Sequence, residues 1–580
     1  MRTAIIWRRA AILAALVLFF GSTSQSQGSD YGPNKTAYDD YIKRPSLQMR
    51  SRGRIKLCAT GDLRALQLMA DSYGQKWTPI DQERYLITSI SAQYFGAEDS
   101  VDIWKKWREK FTKPEDAWLW YRSLIVQQGA KGDDELIATF SNPKADMWLR
   151  ASALEALAEC NSDKILGLID PFIDEVKKMK DIQRTVFTES CIRALYARAY
   201  NLGTAEFRSP AMKLIEMIDQ KETAQRTKLV IARYLRAVLG GDKLYIQSKP
   251  WAWMLLNPGK GLPQGSDGKD GRYAEPPRPT FVGVEANGLR IAYVIDCSDS
   301  MLTPMSVKEK EEAKKPPPPK RGPITGGDGA DGPGKKEKDD PPEDPKKKEE
   351  PEKKKEPDDD IDWSKVKHRF DCAREYLKLS LKGLQPEQFY CVIMFGSVAE
   401  FAKSTKVLMP ATPQNIQNTI RELDAIKPGS PTQMRKYGVL KGDTNLHGGL
   451  HRAWKVRTNG MGKEYEYVDP AGFPDGADTV FLLSDGDPTD DDWAVVDKRD
   501  KDDQTGDPES NTKLPDQEQL RFPAPYGYRY ESIYLPDDIR RINLFRKAEI
   551  HCIGIGEVSA GLLNNIARAA LDGDVKMVGK

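Results

Sequence analysis

Five short apolar runs limit what the second half of this chain can fold into. Residues 291–295, 389–395, 479–483, 550–555 and 575–578 are rich in β-branched and aromatic side chains and have the length of strands. Between them, apolar residues recur at helical spacing. Val366, Phe370, Ala373, Tyr376, Leu377 and Leu381 form one such face, Ile416, Ile420 and Leu423 a second, and Leu562, Leu563, Ile566 and Ala567 a late third. Strands alternating with helices predict βαβ units around a mainly parallel sheet, an α/β fold over residues 281–580. Ahead of the first run, Asn287-Gly288 predicts a hairpin turn that leads from Phe281–Glu285 into residues 291–295.

The first half reads differently. Residues 46–257 are expected to form an all-α domain. Leu149, Ala153, Leu154, Leu157 and Ala158 keep helical spacing, and after a polar break Ile165, Leu168, Ile169, Phe172, Ile173 and Val176 repeat it. Such helix pairs loosely resemble HEAT-like α-solenoid repeats, although no strict period runs through them, and a generic helical bundle fits as well. Trp104, Trp107, Trp118, Trp120 and Trp148 have the spacing of core residues, with a carbohydrate or peptide groove as the alternative.

Three other segments complete the organisation. Arg2, Arg8 and Arg9 precede an apolar run over residues 10–20 and then small polar residues, which marks 1–27 as a signal peptide; a retained anchor is the alternative. The apolar run is well short of the roughly 20 residues of a spanning helix. The mature protein is therefore expected outside the cytoplasm, periplasmic, at the cell surface or secreted, without a membrane span. Residues 28–45 are expected to be a flexible segment, and the Gly- and Pro-rich residues 258–280 a linker. From about 303 to 360 the chain is almost entirely Lys, Glu, Asp, Pro and Gly, a composition that cannot bury enough apolar surface to order itself. Its Gly329–Lys336 stretch nearly spells a phosphate-binding loop, but lacks the final Ser or Thr and the flanking strand and helix.

Net charge is only +2, which gives no field for nucleic acid. The seven cysteines show no CxxC or metal-knuckle spacing, and most sit in apolar patterns as buried thiols. His447 and His451 are spaced i, i+4 without the Glu of a zinc protease, so a packed helical pair is expected. The acidic stretch after Asp485, with Asp490–Asp492 and Asp500–Asp503, has no EF-hand spacing.

The chemistry concentrates at strand ends. Residues 291–295 lead straight into Asp296, Ser298 and Ser300, and residues 479–483 into Asp485. Thr444 sits on the approach to a helix beginning at Leu446. In open α/β sheets ligands bind at the carboxyl edge of the strands, and oxygens gathered there suit a hard divalent cation.

In these residues the sequence resembles the von Willebrand factor type A domain with its metal-ion-dependent adhesion site, from Phe281 to the C-terminus apart from the charged insertion. Asp296, Ser298 and Ser300 match the D-x-S-x-S motif, Thr444 the separate threonine and Asp485 the strand-end aspartate. The resemblance implies a Rossmann-like domain binding Mg²⁺, or Mn²⁺ or Ca²⁺. The hydroxyls would ligate directly, the aspartates mostly through water, and a partner carboxylate would complete the shell. Two departures stand out. Asp299 occupies a position where the family usually has glycine for a tight turn, and the insertion leaves just after Met301.

The resulting expectation is an exported, non-enzymatic binding or adhesion protein that takes a protein or surface ligand presenting a carboxylate. The alternatives are a scaffold or assembly factor in which the helical domain binds and the ion site is regulatory or degenerate, and a hydrolase hidden in the helical half. No G-x-S-x-G or Cys/His nucleophile pattern supports an enzyme.

Overall fold

The computed structural model describes residues 31–43, 47–75, 81–241, 243–260, 262, 280–315, 361–426, 444–462, 474–488, 531–556, 558–571 and 573–579. Over these residues the chain is mixed α/β, with an all-helical N-terminal part and one mostly parallel sheet of seven strands.

The two opening strands, β1 (Thr280–Phe281) and β2 (Val284–Glu285), pair as a hairpin. Its turn is Val282-Gly283, both at positive φ (51° and 78°), and not the expected Asn287-Gly288. The central strand β3 (Arg290–Asp296) lies between β4 (Phe389–Phe395) and β9 (Thr479–Ser484), and both neighbours run parallel to it. Beyond β9 come β10 (Glu549–Ile555) and then β11 (Val575–Val578), also parallel. On the far side β5 (Ala399–Phe401) and β6 (Met409–Pro410) pair antiparallel with β4 and close the sheet there. A two-residue pair, β7 (Val456–Arg457) with β8 (Gly460–Met461), stands apart. The chain leaves β3 in one direction for β4 and returns on its other side at β9, so the carboxyl ends of β3 and β9 form the topological switch point.

Side-chain alternation along the strands divides the core. Ile291, Tyr293, Ile295, Val392, Met394, Phe481 and Leu483 face one layer, with helices Val307–Lys314, Arg369–Gly383 and Pro413–Ala425. Ala292, Val294, Cys391, Ile393, Val480, Leu482 and Cys552 face the other, with helices Leu446–Lys455, Glu531–Asn543 and Ala560–Ala569. That second layer is continuous with the interior of the helical part.

In the helical part each long helix packs on the one two places further along: Ala117–Lys131 on Met147–Glu159, that on Asp181–Ala197, and that on Gln225–Leu239. Trp104, Trp107 and Trp120 are fully buried and Trp118 and Trp148 nearly so, which makes them core and not the lining of a groove. The segment expected to be flexible, 28–45, contains helix Tyr31–Tyr41, pinned by buried Tyr38 and Tyr41. Cys58, Cys191, Cys297, Cys372, Cys391 and Cys552 are buried free thiols, and Cys160 is half-buried.

The two parts meet along a seam of buried charge. Arg226 donates to the Gly476 carbonyl (3.1 Å) and to the Arg546 carbonyl. Lys547 Nζ pairs with Glu155 at 2.8 Å, and Trp148 packs edge-on against Phe545. These contacts fall on the loops leading into β9 and β10, the amino-terminal edge of the sheet. Strands of six or seven residues put the switch point roughly 20 Å away. Among the described residues no helix is long and apolar enough to cross a membrane.

Candidate metal centre

β3 ends on Asp296, and the chain turns at once. Cys297 N donates to the Phe395 carbonyl (2.7 Å), a ladder bond to β4 that fixes where the loop begins. Asp296 is fully buried, and both carboxylate oxygens are held: Ser298 N donates to Oδ1 (2.8 Å) and Ser484 Oγ to Oδ2 (2.6 Å). Asp299 opens a short 3₁₀ turn, Asp299–Leu302, and is not among the positive-φ residues. The loop therefore forms without a glycine at this position.

The hydroxyls converge from two stretches of chain. Ser298 Oγ and Ser300 Oγ are 3.0 Å apart, and Ser300 Oγ donates to Asp485 Oδ1 at 2.6 Å. Thr444 precedes Asn445, whose side chain caps helix Leu446–Lys455 by accepting from Gly448 N (2.7 Å). Ser300 Oγ and Thr444 Oγ1 both lie 3.7 Å from the point where a Cβ on Gly486 would stand. Asp296, Ser298, Ser300, Thr444 and Asp485, drawn from three separate stretches of chain, are thus brought together at the switch point.

The electrostatics fit a cation. Burial, and then the charge of Asp485, pushes the Asp296 carboxyl up to about 7. Burial also raises Asp485, against hydrogen bonds from Ser300 and Arg369 that pull it down. Two desolvated carboxylates beside three hydroxyls leave negative charge that a divalent ion relieves. Among the described residues there is no cluster of three or more His, Cys, Asp or Glu placed to hold a metal; the donor set here consists of hydroxyls with two acids.

Three neighbours were missed in the sequence. Ser484 orients Asp296, and its only signal is adjacency to Asp485. Arg369 Nη1 donates to Asp485 Oδ2 at 3.0 Å from 116 residues away, and its Nε and Nη2 reach Glu309 Oε1 at 3.2 and 3.1 Å. Glu309 belongs to helix Val307–Lys314, in the segment expected to be disordered from about 303. The chain is instead ordered through Lys315, and residues 316–360 lie outside the described residues, as does the near phosphate-binding loop at 329–336. So do Asp490–Asp492 and Asp500–Asp503 of the acidic stretch after Asp485, beyond which comes helix Glu531–Asn543. His447 and His451 stack with ring centroids 5.5 Å apart, and His447 Nε2 lies 3.4 Å from Asp538 Oδ2. Burial lowers His451 well below the ordinary range, which keeps it neutral.

Compared with known proteins, the sequence matches no family model and no curated protein.

Proposed function

We propose that residues 281–580 form a von Willebrand factor A-like domain that holds a divalent cation, Mg²⁺ first, at Asp296, Ser298, Ser300, Thr444 and Asp485. Through it the protein takes a carboxylate of a partner protein or surface ligand. The observation that carries this reading is Ser300 Oγ lying within 3.0 Å of Ser298 Oγ and 2.6 Å of Asp485 at the β3/β9 switch point. The bound ion would supply electrostatic attraction for an anionic group. The protein's part is orientation. Ser484 and the Ser298 amide fix Asp296, while Ser300 fixes Asp485. Neutral hydroxyls, combined with few charged donors, leave a hard cation electrophilic toward an incoming acid.

The basic and apolar N-terminus supports export, and the role proposed is binding, without catalysis. The packing of helices two places apart supports a HEAT-like solenoid for the first half. Its buried polar contacts through Arg226 and Lys547 lie at the amino-terminal edge, the end of the strands opposite the ion site. Pull-down of ligands from the native surroundings tests the reading: capture should vanish with EDTA and in Asp296→Ala. Equal capture under all conditions would refute it.

A further inference from the structure

The Arg369 guanidinium is shared between two carboxylates that belong to different parts of the domain. Asp485 is a site residue; Glu309 sits in the first turn of helix Val307–Lys314. The arrangement is enclosed, with Asp485 fully buried, Glu309 at 8% side-chain exposure and Arg369 at 12%. Glu309 is itself fixed, because Oε2 accepts from Ser306 N (2.7 Å) in a capping box while Oε1 faces Arg369. On the other side of the guanidinium lies Gly556, at φ +77°, where any Cβ would overlap Arg369. The helix that carries Glu309 is tied down in turn. Lys576 Nζ donates to the carbonyls of Ala313 (2.8 Å) and Lys315 (2.6 Å), and the Tyr376 hydroxyl donates to Ala313 (2.8 Å).

We propose that Arg369 is a built-in counter-cation that sets the affinity of the site for its divalent ion, with Glu309 setting how much of its charge falls on Asp485. This regulation rests on the ion-binding reading above. A divalent ion and the guanidinium draw on the same carboxylate and repel one another, so Arg369 holds affinity down. Glu309 draws the guanidinium the other way and relieves that opposition. Because coupling is reciprocal, ion binding strengthens the hold of Arg369 on Glu309 and steadies helix Val307–Lys314.

The two partners therefore act with opposite signs. Calorimetric titration of the full chain with MgCl₂ is expected to show Arg369→Gln binding about tenfold more tightly than the parent and Glu309→Gln several-fold more weakly. Gln at position 309 can retain the capping box, and Arg369→Lys, which keeps the charge, should remain near the parent. Hydrogen exchange over residues 305–315 should slow on adding Mg²⁺ in the parent and stay unchanged in Arg369→Gln. Circular dichroism identifies any misfolded variant, in which case Arg369→Lys and the exchange measurement on the parent decide. Both Gln variants shifting affinity in the same direction, or neither shifting it, overturns the proposal. Mg²⁺ bound by the parent with no change in exchange also overturns it while leaving the ion site standing. No Mg²⁺ binding by the parent overturns both.

Discussion

Arg233 in the helical half lies 3.0 Å from Glu549 at the start of β10, with both side chains almost fully buried. Its terminal nitrogens donate to the Asp478 carbonyl (2.9 Å) and Thr479 Oγ1 (2.6 Å) at the foot of β9. A single side chain from the first half thus ties together two adjacent strands of the second. With the apolar layer continuous across the seam, the two halves have the physical character of one cooperative unit, not of beads on a linker.

Replacing Arg233 by Ala would leave Glu549 buried without that charge, a loss of about 3–5 kcal/mol for a broken buried pair. Urea unfolding should show this loss in a single transition reported alike by signals from both halves. A loss confined to one half would show that the seam does not couple them.

Asp296 predicts a pH dependence. Its folded carboxyl is raised from 3.8 to about 7, so the ion-free folded state holds a proton that the unfolded chain has released. Stability therefore falls as pH rises between about 4 and 7, and the contribution is gone above that. Asp296→Asn should flatten this slope. At pH 8, Mg²⁺ at a hundredfold excess over Kd should stabilise the parent by about 2.7 kcal/mol and leave Asp296→Asn unmoved. Equal Mg²⁺ stabilisation of both proteins would place the ion elsewhere.

Glu189 gives a second slope of the same sign, independent of the ion. Burial raises it from 4.5 to about 7, despite Arg226 nearby and a hydrogen bond from Thr227 (3.0 Å). The proton retained in the folded state again favours low pH, and stability is lost between about pH 4.5 and 7. Glu189→Gln should remove this part of the melting-temperature profile, with or without Mg²⁺. A profile unchanged by the substitution would mean that the carboxylate is charged when buried.

Much of this was legible in the sequence, for identifiable reasons. The runs at 389–395 and 575–578 are β4 and β11 to the residue; β4 is buried along nearly its whole length and has no polar face to blur its ends, while β11 is an edge strand whose burial alternates. The five residues proposed as ligands could be picked out together because they lie at or just beyond strand ends or at a helix entrance, where local pattern fixes position. Arg369 and Glu309 could not, since a guanidinium reaching across 116 residues leaves no local period. The start of the charged insertion was misplaced because helix Val307–Lys314 is held by a capping box, by Arg369 and by Lys576, while composition registers only its Lys and Glu. The Asn287-Gly288 turn failed for a related reason. Gln388 Nε2 donates to the Gly288 carbonyl (2.6 Å), and Leu289 N donates to Asp478, so tertiary partners occupy the backbone there.

Lys576 anchors that helix through the carbonyls of Ala313 and Lys315 and ties it to the β1–β2 turn through that of Val282 (2.9 Å). Lys576→Met keeps the apolar stem and strands buried acceptors, a loss of about 2–3 kcal/mol. Hydrogen exchange should accelerate over residues 307–315 more than in β9 or β10. Uniform acceleration would instead mean a general loss of stability with no local anchor.

Ser484 provides the sharpest test of orientation as distinct from ligation. Its hydroxyl donates to Asp296 Oδ2 (2.6 Å) and also approaches the Gly486 carbonyl (3.0 Å), so it links the ends of β3 and β9 without belonging to the proposed ligand set. Ser484→Ala removes one oxygen, changes no charge and leaves the strand's apolar packing alone. Side chains that orient metal ligands typically govern about 10- to 100-fold in affinity, and Mg²⁺ binding should weaken by that amount. Thr444→Val, which deletes a proposed direct donor at nearly constant shape, should weaken it at least as much. The two should differ in how they respond to ion size. Misorientation of Asp296 is tolerated better by the looser shell of Ca²⁺ than by the strict octahedron of Mg²⁺, so Ser484→Ala should lose more Mg²⁺ than Ca²⁺ affinity, and Thr444→Val should lose both. Equal losses of the two ions in Ser484→Ala would mean that Ser484 does not act by aiming Asp296.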